Sequence, residues 1–317
     1  MTAGDAHGLP PFALVIVSFG SSGLLQRNAA SLALPPGARI VVVDCFSSSD
    51  ERDRVRALSE REGWDAVLLA HNAGFGGGMN AGVARAAELG ARVIVALNPD
   101  ARIDEESLRA LVRAVQRDPA LLASPRIVGG DGESWFAGAD LYLADGAVRG
   151  ARARPRFPDA ERREWATGAC FAISLELWSD VDGFDEDYFL YWEDIDLSHR
   201  VLDSGGRLAL VDATVVHEAG GTQSNVAGGR AKSEDYYYYN IRNGLLYGVK
   251  HLDDTRLRSW LRAAPRVGFG VLLRGGRRQL VQSVRPWRAY LRALRDGRRM
   301  VRSRRSGPAL DRRERQR

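Results

Sequence analysis

The chain is poor in cysteine and in long hydrophobic runs, and each shortage excludes a class of protein. Two cysteines, Cys45 and Cys170, occur among 317 residues. They are too few for a disulfide framework and lack the spacing of zinc ligands, so we interpret both as small buried hydrophobic residues. No uncharged apolar stretch reaches the roughly 20 residues of a membrane-spanning helix. The first dozen residues show no basic segment followed by an apolar run. These patterns predict a folded cytosolic protein.

The charge is distributed asymmetrically along the chain. The formal net charge is +5, yet the segment from Arg256 to the end carries 20 arginines against three acidic residues, a net +17 that leaves −12 for residues 1–255. An acidic body with a basic tail is typical of a catalytic domain that carries an electrostatic anchor. We therefore predict disordered residues 1–11, a catalytic domain at 12–255, a basic amphipathic helical extension at 256–302 and a disordered basic tail at 303–317.

Short apolar runs alternate with helix-like stretches in the first hundred residues, which is the pattern of βαβ units on a parallel sheet. The predicted strands are Ala13–Phe19, Ala38–Asp44, Ala66–His71 and Ala91–Asn98. The predicted helices are Leu24–Leu32, Asp50–Glu62, Met79–Leu89 and Glu105–Arg117. Loops and irregular strands are expected from Ser124 to Thr167, a further strand ending at His217, and helices at 234–251 and within 257–302.

Polar side chains follow several of these strands. Ligands of such sheets bind beyond the carboxyl ends of the strands. Asp44 ends the second strand and can accept a hydrogen bond from a ribose hydroxyl or a base N–H, or it can cap a turn. Asp100 follows the fourth strand and can hold a divalent cation that bridges a diphosphate. His217 could supply a second metal ligand, although an ordinary turn and a structural histidine are the alternatives.

A glycine cluster, HNAGFGGGMNAG, spans residues 71–82. Gly76, Gly78 and Ala81 formally satisfy the dinucleotide fingerprint, but that motif belongs in the turn after the first strand, and here two βα units precede it. An NAD-binding interpretation is therefore disfavoured. The glycines instead predict a close approach of the backbone to a phosphate at the start of the helix beginning at Met79.

Three carboxylates follow an aromatic run in the segment DYFLYWEDIDLSHR, residues 187–200. Glu193, Asp194 and Asp196 are close enough to repel, which raises the pKa of a carboxyl and can create a general base. The alternative is a solvated helix start with acids at its N-terminus. Tyr191 and Trp192 offer flat faces for stacking on sugar rings, with core packing as the alternative.

The ordered set of these motifs, Asp44, HNAGFGGGMNAG, NPD, TGACF, GFDEDYFLYWEDIDLSHR and VVHEAGG, resembles the family 2 glycosyltransferases over about residues 12–250, particularly their bacterial rhamnosyltransferase-like branch. The resemblance implies a GT-A type α/β fold, with a mostly parallel central sheet and flanking helices. It also implies inverting transfer of a sugar from a nucleoside-diphosphate sugar, with Mg²⁺ or Mn²⁺ as cofactor.

The resemblance assigns roles to positions of this chain. Donor-binding residues would be Ser18, Asp44, Asn72, Gly76, Gly77, Asn80 and Asp100. Asp100 would be the last acid of the metal motif, in which Asn98 takes the first acidic place, and His217 would contact the same metal. Asp194 would be the general base. Trp192, Glu193 and Asp196 would bind the acceptor.

The predicted reaction places a sugar, with rhamnose as a candidate, on a hydroxyl of a glycan or lipid-linked acceptor in cell-envelope polysaccharide synthesis. A glycosidase is disfavoured because adjacent carboxylates rarely straddle a glycosidic bond. A sugar nucleotidyltransferase would need a basic glycine-rich loop near the N-terminus, which we do not find. A non-catalytic nucleotide-sugar-binding protein is the remaining alternative, and it would tolerate Asp194→Asn.

The arginine-rich extension interleaves basic and apolar residues, as do helices that lie on anionic membranes. We therefore expect a peripheral location on the cytoplasmic face of the plasma membrane. Packing on the body or on a partner subunit is the alternative, and the aromatic cluster Tyr236–Tyr239 leaves a homo-oligomer open. Nucleic acid is disfavoured as a partner because no recognition module is visible and the body is acidic.

Overall fold

The structure of the chain is a computed structural model that describes residues 8–217 and 232–306. It divides into two compact units. The first comprises residues 1–141 and 148–222, and the second comprises 142–147 and 223–317. The division falls earlier than the boundary at residue 255 that the sequence predicts, and helix 234–251 belongs to the second unit. The predicted disorder of residues 1–7 and 307–317 lies outside the described residues, whereas residues 303–306 are still helical.

The described strands extend from the first unit's N-terminus to His217. They are β1 (Phe12–Ser18), β2 (Ala38–Asp44), β3 (Asp65–Leu68), β4 (Val93–Leu97), β5 (Ala101–Ile103), β6 (Leu121–Gly129), β7 (Ser134–Phe136), β8 (Ala139–Tyr142), β9 (Ala147–Gly150), β10 (Arg162–Trp165), β11 (Cys170–Ser174) and β12 (Arg207–His217). The region 124–167, expected to be loops and irregular strands, thus contains four short strands and most of β6.

The described helices alternate with the strands and then form the C-terminal part of the chain. They are α1 (Ser22–Leu24), α2 (Ser49–Glu62), α3 (Gly74–Glu88), α4 (Glu105–Arg117), α5 (Leu175–Asp180), α6 (Glu193–Asp203), α7 (Glu234–His251), α8 (Asp254–Leu273), α9 (Arg278–Gln282) and α10 (Arg285–Ser306). A π-helical turn, Leu25–Ala29, replaces most of the helix predicted at 24–32. Short 3₁₀ turns occupy Ala151–Arg156 and Glu186–Tyr188.

Side-chain caps fix where several predicted helices begin. The Asp104 carboxylate accepts from the Ser107 amide at 2.7 Å, and α4 starts and ends where the sequence predicts. Ser233 caps α7 in the same way through the Tyr236 amide. These caps satisfy amides that the helix itself leaves without partners.

The main sheet of the first unit has the order β3-β2-β1-β4-β11-β6-β12-β5, with β7 paired to β6. Pairs β1–β2, β1–β4, β2–β3 and β6–β12 are parallel, and β11 runs antiparallel between β4 and β6. A second sheet has the order β10-β8-β9. The predicted mostly parallel α/β architecture is confirmed.

The central strands are buried on both faces. All seven residues of β1 are buried, and their side chains divide between two hydrophobic clusters. Leu14 and Ile16 enter one cluster with Val42, while Val15 and Val17 enter the other. This two-sided burial explains why the strands are continuous apolar runs rather than alternating patterns.

Helix α3 begins five residues earlier than the sequence predicts. Gly78 and Gly82 lie inside it and face the sheet, where an added Cβ at Gly78 would come within 2.7 Å of Cys45 Sγ. At Gly82 an added Cβ would overlap Val15 Cγ1 and lie 2.8 Å from Val43 Cγ2. Glycine disfavours helices in isolation, but here its missing side chain lets α3 pack directly on β1 and β2. The prediction that Gly78 approaches a phosphate is therefore wrong, because what its backbone approaches is the sheet.

The second unit is a helical assembly rather than a set of isolated surface helices. Trp260 of α8 is buried, stacks on Tyr247 with ring centroids 5.7 Å apart, and donates its indole N–H to the Leu143 carbonyl at 2.7 Å. Leu272 and Leu294 are also buried. These apolar residues of the extension serve the unit's own core. Within the described residues, no helix is long and apolar enough to cross a membrane.

We predict that Gly82→Ala lowers the free energy of unfolding by up to about 2 kcal/mol. Overpacking against Val15 and Val43 costs about 1–3 kcal/mol, whereas the better helix propensity of alanine returns about 1 kcal/mol. Urea unfolding of the first unit, followed by far-UV circular dichroism, measures the change. The exposed Ala84→Ser in the same helix is the control and should shift stability by less than about 0.5 kcal/mol. A stabilised Gly82→Ala protein would contradict the close packing of α3.

Candidate active site

The carboxyl ends of the parallel strands meet at one edge of the main sheet. Ser18 and Asp44 are register partners at the ends of β1 and β2, and both are buried. Because β4, β6 and β12 run in the same direction, Asp100 and His217 lie at this edge too. Gly168 precedes the antiparallel strand β11, so it also belongs here. The structure thus brings together polar residues that are up to 199 positions apart in the sequence.

Asp44 is held from one side by Arg52 of α2. The guanidinium Nε donates to Asp44 Oδ2 at 2.9 Å, and its Nη2 donates to the Leu69 carbonyl. The second oxygen, Oδ1, is buried and has no hydrogen-bond partner among the described residues. A buried carboxylate oxygen left without a donor is costly, so this atom is available to accept from a ligand. Ser18 Oγ contributes a hydroxyl that is paired with Ser21 Oγ at 2.9 Å.

Asp100 and His217 form a buried pair. Asp100 Oδ1 lies 3.2 Å from His217 Nε2, and the other imidazole nitrogen, Nδ1, is buried without a partner within the described part of the chain. Trp135 of β7 stacks on the imidazole, with centroids 4.8 Å apart and planes 8° from parallel. The backbone amide of Asn98 donates to the Ala169 carbonyl at 2.9 Å, so the turn that carries Asp100 is tied to the segment before β11.

The backbone between the 3₁₀ turn and α6 is strained. Phe189, Tyr191 and Trp192 have φ values of 61°, 62° and 77°, a region that bulky side chains rarely adopt. Strain of this kind persists only where the surroundings enforce it, and it occurs preferentially at functional sites. The enforcing contact comes from α3, where the Phe75 amide donates to the Phe189 carbonyl at 2.8 Å. A side chain at Gly74 would overlap that carbonyl.

Asp194 lies in the first turn of α6, directly after the strained segment. Its carboxylate accepts from the Gly168 amide at 3.1 Å and from the Ile195 amide at 2.9 Å. The side chain is partly exposed rather than sealed in the core. Burial raises the pKa of Asp194 to about 6, and the two amides oppose that rise. A carboxylate of this kind is ionised at neutral pH yet basic enough to take a proton.

Glu193 is more deeply buried than its neighbour, with 6% of the side chain's surface exposed. Desolvation, followed by the charge of Asp194, raises its pKa well above the ordinary value. Its Oε2 has no hydrogen-bond partner among the residues that the structure describes. Two carboxylates so close in a partly desolvated site do not ionise together easily. Burial and the neighbouring charge of Asp194 therefore disfavour the ionised form of Glu193.

Asp196 occupies a different environment from the one the sequence predicts. It is 1% exposed, accepts from Tyr188 Oη at 3.1 Å and accepts from Arg200 Nε at 2.7 Å. Arg200 also donates to the Val181 carbonyl. This network holds the first turns of α6 against the preceding loop. Burial likewise favours core packing for Trp192 over the predicted sugar contact, whereas Tyr191 keeps partial exposure.

Several residues predicted to bind donor have contacts within the protein. The Asn80 side-chain amide donates to the Phe184 carbonyl at 2.9 Å and to Glu186 Oε1 at 3.0 Å. Its Oδ1 accepts from the Phe184 amide at 2.9 Å. An added Cβ at Gly77 would come within 2.9 Å of the Ala73 Cβ, and one at Gly76 within 3.2 Å of the Phe184 Cβ. These three residues therefore fix the contact between α3 and the loop that precedes α6. The close approach expected toward a phosphate is made toward protein.

Asn72 also has a local partner, since its Oδ1 accepts from the Gly74 amide at 2.9 Å. Its side chain thus closes the turn that starts α3. Both cysteines are buried as predicted, and burial raises the pKa of the Cys45 thiol to about 11. The thiol is therefore protonated and unreactive at neutral pH.

Three contributors to the site escape sequence reasoning. Trp135 lies in a segment read as loop, and nothing local links it to His217, which is 82 positions away. The Gly168 amide is a backbone donor that no side-chain pattern reveals. Arg52 lies on the predicted helix after Asp44, so an ion pair eight positions apart could have been proposed from the helix start. Among the described residues, no group of three or more His, Cys, Asp or Glu side chains forms a metal cage.

The sheet order, the strand-end carboxylates and the partly exposed carboxylate at the start of α6 are those of a GT-A type glycosyltransferase. Solved structures of that class share the fold. A mannosyltransferase, PcManGT from Pyrobaculum calidifontis, in complex with GDP-Man and Mn²⁺, matches with a TM-score of 0.53 at 13% identity, over 96% of this chain and 88% of that one. GalNAc-T7 with UDP, GalNAc and Mn²⁺ matches with a TM-score of 0.54 at 16% identity, over 76% of this chain and half of that one.

Sequence comparison then defines the family. The model described as Glycosyl transferase family group 2 matches residues 93–300. A low-salt glycan biosynthesis hexosyltransferase, Agl10 of Haloferax volcanii, is 28% identical over 250 residues, 75% of each chain. An N-acetylglucosaminyl-diphospho-decaprenol L-rhamnosyltransferase of Mycobacterium tuberculosis is 26% identical over 229 residues, 64% of this chain and 75% of that protein. The chain belongs to glycosyl transferase family group 2, and the resemblance noted from its motifs is confirmed.

We predict that Asp194→Asn stabilises the protein at about pH 8 but not at about pH 4. The pKa of Asp194 in the folded state, about 6, lies above the ordinary value of 3.8 for an aspartate. The folded state therefore binds more protons between these values, and stability falls as the pH rises through that window. Removing the charge of Asp194 should raise the free energy of unfolding by on the order of 1–3 kcal/mol above pH 6.

Thermal unfolding across that pH range measures this effect. Asp203→Asn, whose carboxylate lies at the other end of the same helix with 59% of its side chain exposed, is the control. It should show no gain at high pH, because its ion pair with Arg163 is a surface pair of small effect. Equal Tm changes for Asp194→Asn at both pH extremes would show that Asp194 is not desolvated.

Proposed function

We propose that the protein is an inverting, metal-assisted glycosyltransferase in which Asp194 is the general base. The observation that carries this proposal is the state of Asp194: partly exposed, held by the Gly168 amide, and with a pKa of about 6. Asp194 takes the proton of an acceptor hydroxyl while that oxygen attacks the anomeric carbon of the donor. The bond from that carbon to the diphosphate oxygen breaks, so the configuration inverts.

Glu193 supports this role by staying neutral. Because its carboxyl is buried beside Asp194, a charge on both residues would be unfavourable, and the negative charge is confined to the more exposed carboxylate. That carboxylate is the one accessible to an acceptor. A protonated Glu193 can also donate a hydrogen bond through its carboxyl O–H, which is compatible with the acceptor contact predicted for it.

Asp100 and His217 have the chemistry of a divalent-cation site. A carboxylate and an imidazole lie 3.2 Å apart, and the buried imidazole Nδ1 lacks a partner among the described residues. Two protein ligands suffice where diphosphate oxygens supply others, and the imidazole favours Mn²⁺ over Mg²⁺. A cation here would neutralise charge developing on the diphosphate leaving group. Trp135, stacked on the ring, keeps the imidazole plane in position.

Asp44 is positioned to bind the nucleoside. Its Oδ1 is the buried oxygen without a partner in the described part of the chain, and Arg52 occupies Oδ2. One acceptor oxygen facing a ribose hydroxyl or a base N–H would satisfy the site. Ser18, the register partner of Asp44, adds a hydroxyl at the same edge. In this proposal the nucleoside lies at Asp44, the diphosphate lies at Asp100, and the general base is Asp194.

The donor and acceptor classes follow from the relatives. The Mycobacterium tuberculosis relative is named as a rhamnosyltransferase that acts on a decaprenol-linked diphospho-sugar, and a dTDP-rhamnosyl transferase of Shigella flexneri is 22% identical over 213 residues. We propose that this chain transfers a hexose, with rhamnose the leading candidate, to a glycan or lipid-linked acceptor of the cell envelope. Such an acceptor would place the enzyme peripherally on the cytoplasmic face of a membrane.

Asp194→Asn should lower turnover by about 10²–10⁴-fold, the usual contribution of a general base, while donor affinity stays within about threefold. In the parent enzyme kcat/KM should fall about tenfold per pH unit below about pH 6, since the base is then protonated. Release of nucleoside diphosphate in the presence of acceptor measures both. Asp203→Asn is the control for turnover. Unchanged turnover in Asp194→Asn would support a non-catalytic nucleotide-sugar-binding protein.

Donor and metal binding can be tested without any turnover. Saturating donor, or its nucleoside diphosphate, with Mn²⁺ should raise Tm by several degrees, since a ligand at 100 times its Kd stabilises by about 2.7 kcal/mol. A panel of dTDP-rhamnose, UDP-sugars and GDP-mannose identifies the nucleotide.

Asp100→Asn should remove the Mn²⁺-dependent part of that shift and keep the metal-free part. Glu106→Gln, an exposed acid in the first turn of α4, should keep both. Mn²⁺-dependent stabilisation that survives in Asp100→Asn would place the metal elsewhere.

A further inference from the structure

The second unit carries an exposed apolar patch, which we call the α8–α10 patch. Its six members lie on three consecutive helices and the turn between two of them: Phe269, Leu273, Val281, Val284, Trp287 and Leu291. The side chain of Val281 is 90% exposed, that of Leu291 63% and that of Val284 60%. Isolated apolar residues on a surface need no explanation, but a contiguous group marks an interaction site.

The members of the patch share one surface. Val284, Trp287 and Leu291 are spaced three and four positions apart, which places them on one stripe of α10 and its N-terminal flank. Phe269 and Leu273 are four positions apart on α8. The ring of Phe269 lies 6.1 Å from that of Trp287, which joins the two stripes.

Short helix α9 is fixed to the same surface. The Trp287 indole N–H donates to the Leu280 carbonyl at 2.9 Å, so Val281 follows directly after an anchored residue. The rest of the extension's apolar residues behave differently. Trp260, Leu272 and Leu294 are buried in the unit. The patch is therefore what remains apolar on the outside after the unit has filled its own core.

The patch lies in a purely basic sequence. Residues 261–292 contain eight arginines and no aspartate or glutamate. Arg277, Arg278 and Arg288 are exposed and lie next to patch residues on α9 and α10. Apolar side chains ringed by arginine fit a surface that offers both hydrocarbon and negative charge. A purely apolar protein partner would not explain the excess of positive charge.

We propose that the α8–α10 patch inserts into the headgroup region of an anionic phospholipid bilayer, with the surrounding arginines on the lipid phosphates. Val281 and Leu291 enter furthest because they are the most exposed members. The α8–α10 patch is a feature of the helices of the second unit and does not depend on the proposed function. Only its benefit to the enzyme, access to a lipid-linked acceptor, rests on the proposed function.

Vesicle sedimentation of the full chain tests this surface. Vesicles of phosphatidylcholine alone are compared with vesicles that also contain phosphatidylglycerol. The parent protein should bind the anionic vesicles and bind the neutral ones at least about tenfold more weakly, because each basic residue near an anionic surface contributes about 1 kcal/mol and 1.4 kcal/mol is tenfold. High salt should weaken the anionic binding.

Two variants separate the apolar and the charged contributions. Val281→Gln with Leu291→Gln should lower the partition coefficient for anionic vesicles about tenfold or more, and Arg277→Gln with Arg278→Gln should lower it for anionic vesicles only. Leu210→Gln removes an equally apolar, exposed side chain from β12 of the first unit and is the matched control with unchanged binding. All five substituted positions are exposed, so folding should be kept, and circular dichroism checks it.

Three outcomes would overturn the inference. These are no vesicle binding by the parent protein, equal binding to neutral and anionic vesicles, or a concentration-dependent dimer that Val281→Gln with Leu291→Gln converts to monomer. Donor-induced stabilisation is measured on the same preparations. Donor binding without vesicle binding would reject the membrane role of the patch and keep the proposed function. Vesicle binding without donor binding would keep the membrane role of the patch and reject the proposed function.

Discussion

The hydrogen bond from the Gly168 amide to the Asp194 carboxylate connects the segment before β11 to the first turn of α6. Gly168 precedes β11, and the next residue, Ala169, accepts from the Asn98 amide. Through these two bonds Asp194 on α6 is positioned relative to the turn that carries Asp100 and, through it, His217. A misplacement of about 1 Å can cost an enzyme about 100-fold in rate. The antiparallel insertion of β11 into an otherwise parallel neighbourhood is what delivers a backbone amide to this point.

The same region stores unfavourable free energy. Phe189, Tyr191 and Trp192 are held in the left-handed region, and Glu193 and Asp194 are desolvated side by side. Surrounding contacts make this arrangement persist: the Phe75 amide on the Phe189 carbonyl, and the Tyr188 and Arg200 side chains on Asp196. Among the three carboxylates of this segment, Asp194 is thus the partly exposed one, whereas Asp196 is buried in contacts that hold α6 in place. A strained, partly desolvated site is less stable than it could be, which is a common condition of active sites.

The two units of the chain differ in charge and in the kind of surface they carry. The acidic first unit contains every residue assigned to donor, metal or base, and the basic second unit contains the exposed apolar patch. The arginines of the extension have different environments. Arg292 lies over the Tyr238 ring, 4.0 Å from its centroid, whereas Arg277 and Arg278 are exposed.

Strands β1 and β2 and helices α2, α4 and α7 follow the sequence prediction closely, because continuous apolar runs, helical spacing and capping side chains are local signals. The sequence alone also determines that Asp44 and His217 end their strands and that Asp100 follows one, and with that the edge of the sheet where they meet. Only the tertiary structure decides what each then touches. Glycine's low helix propensity predicts a loop at 74–78, but contact with Val15, Val17 and Cys45 makes it a helix. Asn80 and Asp196 look like ligands until their partners, 104 and eight positions away, are known. The physical reason is that a polar side chain's role depends on its desolvation and its partners, and both are set by residues distant in the chain.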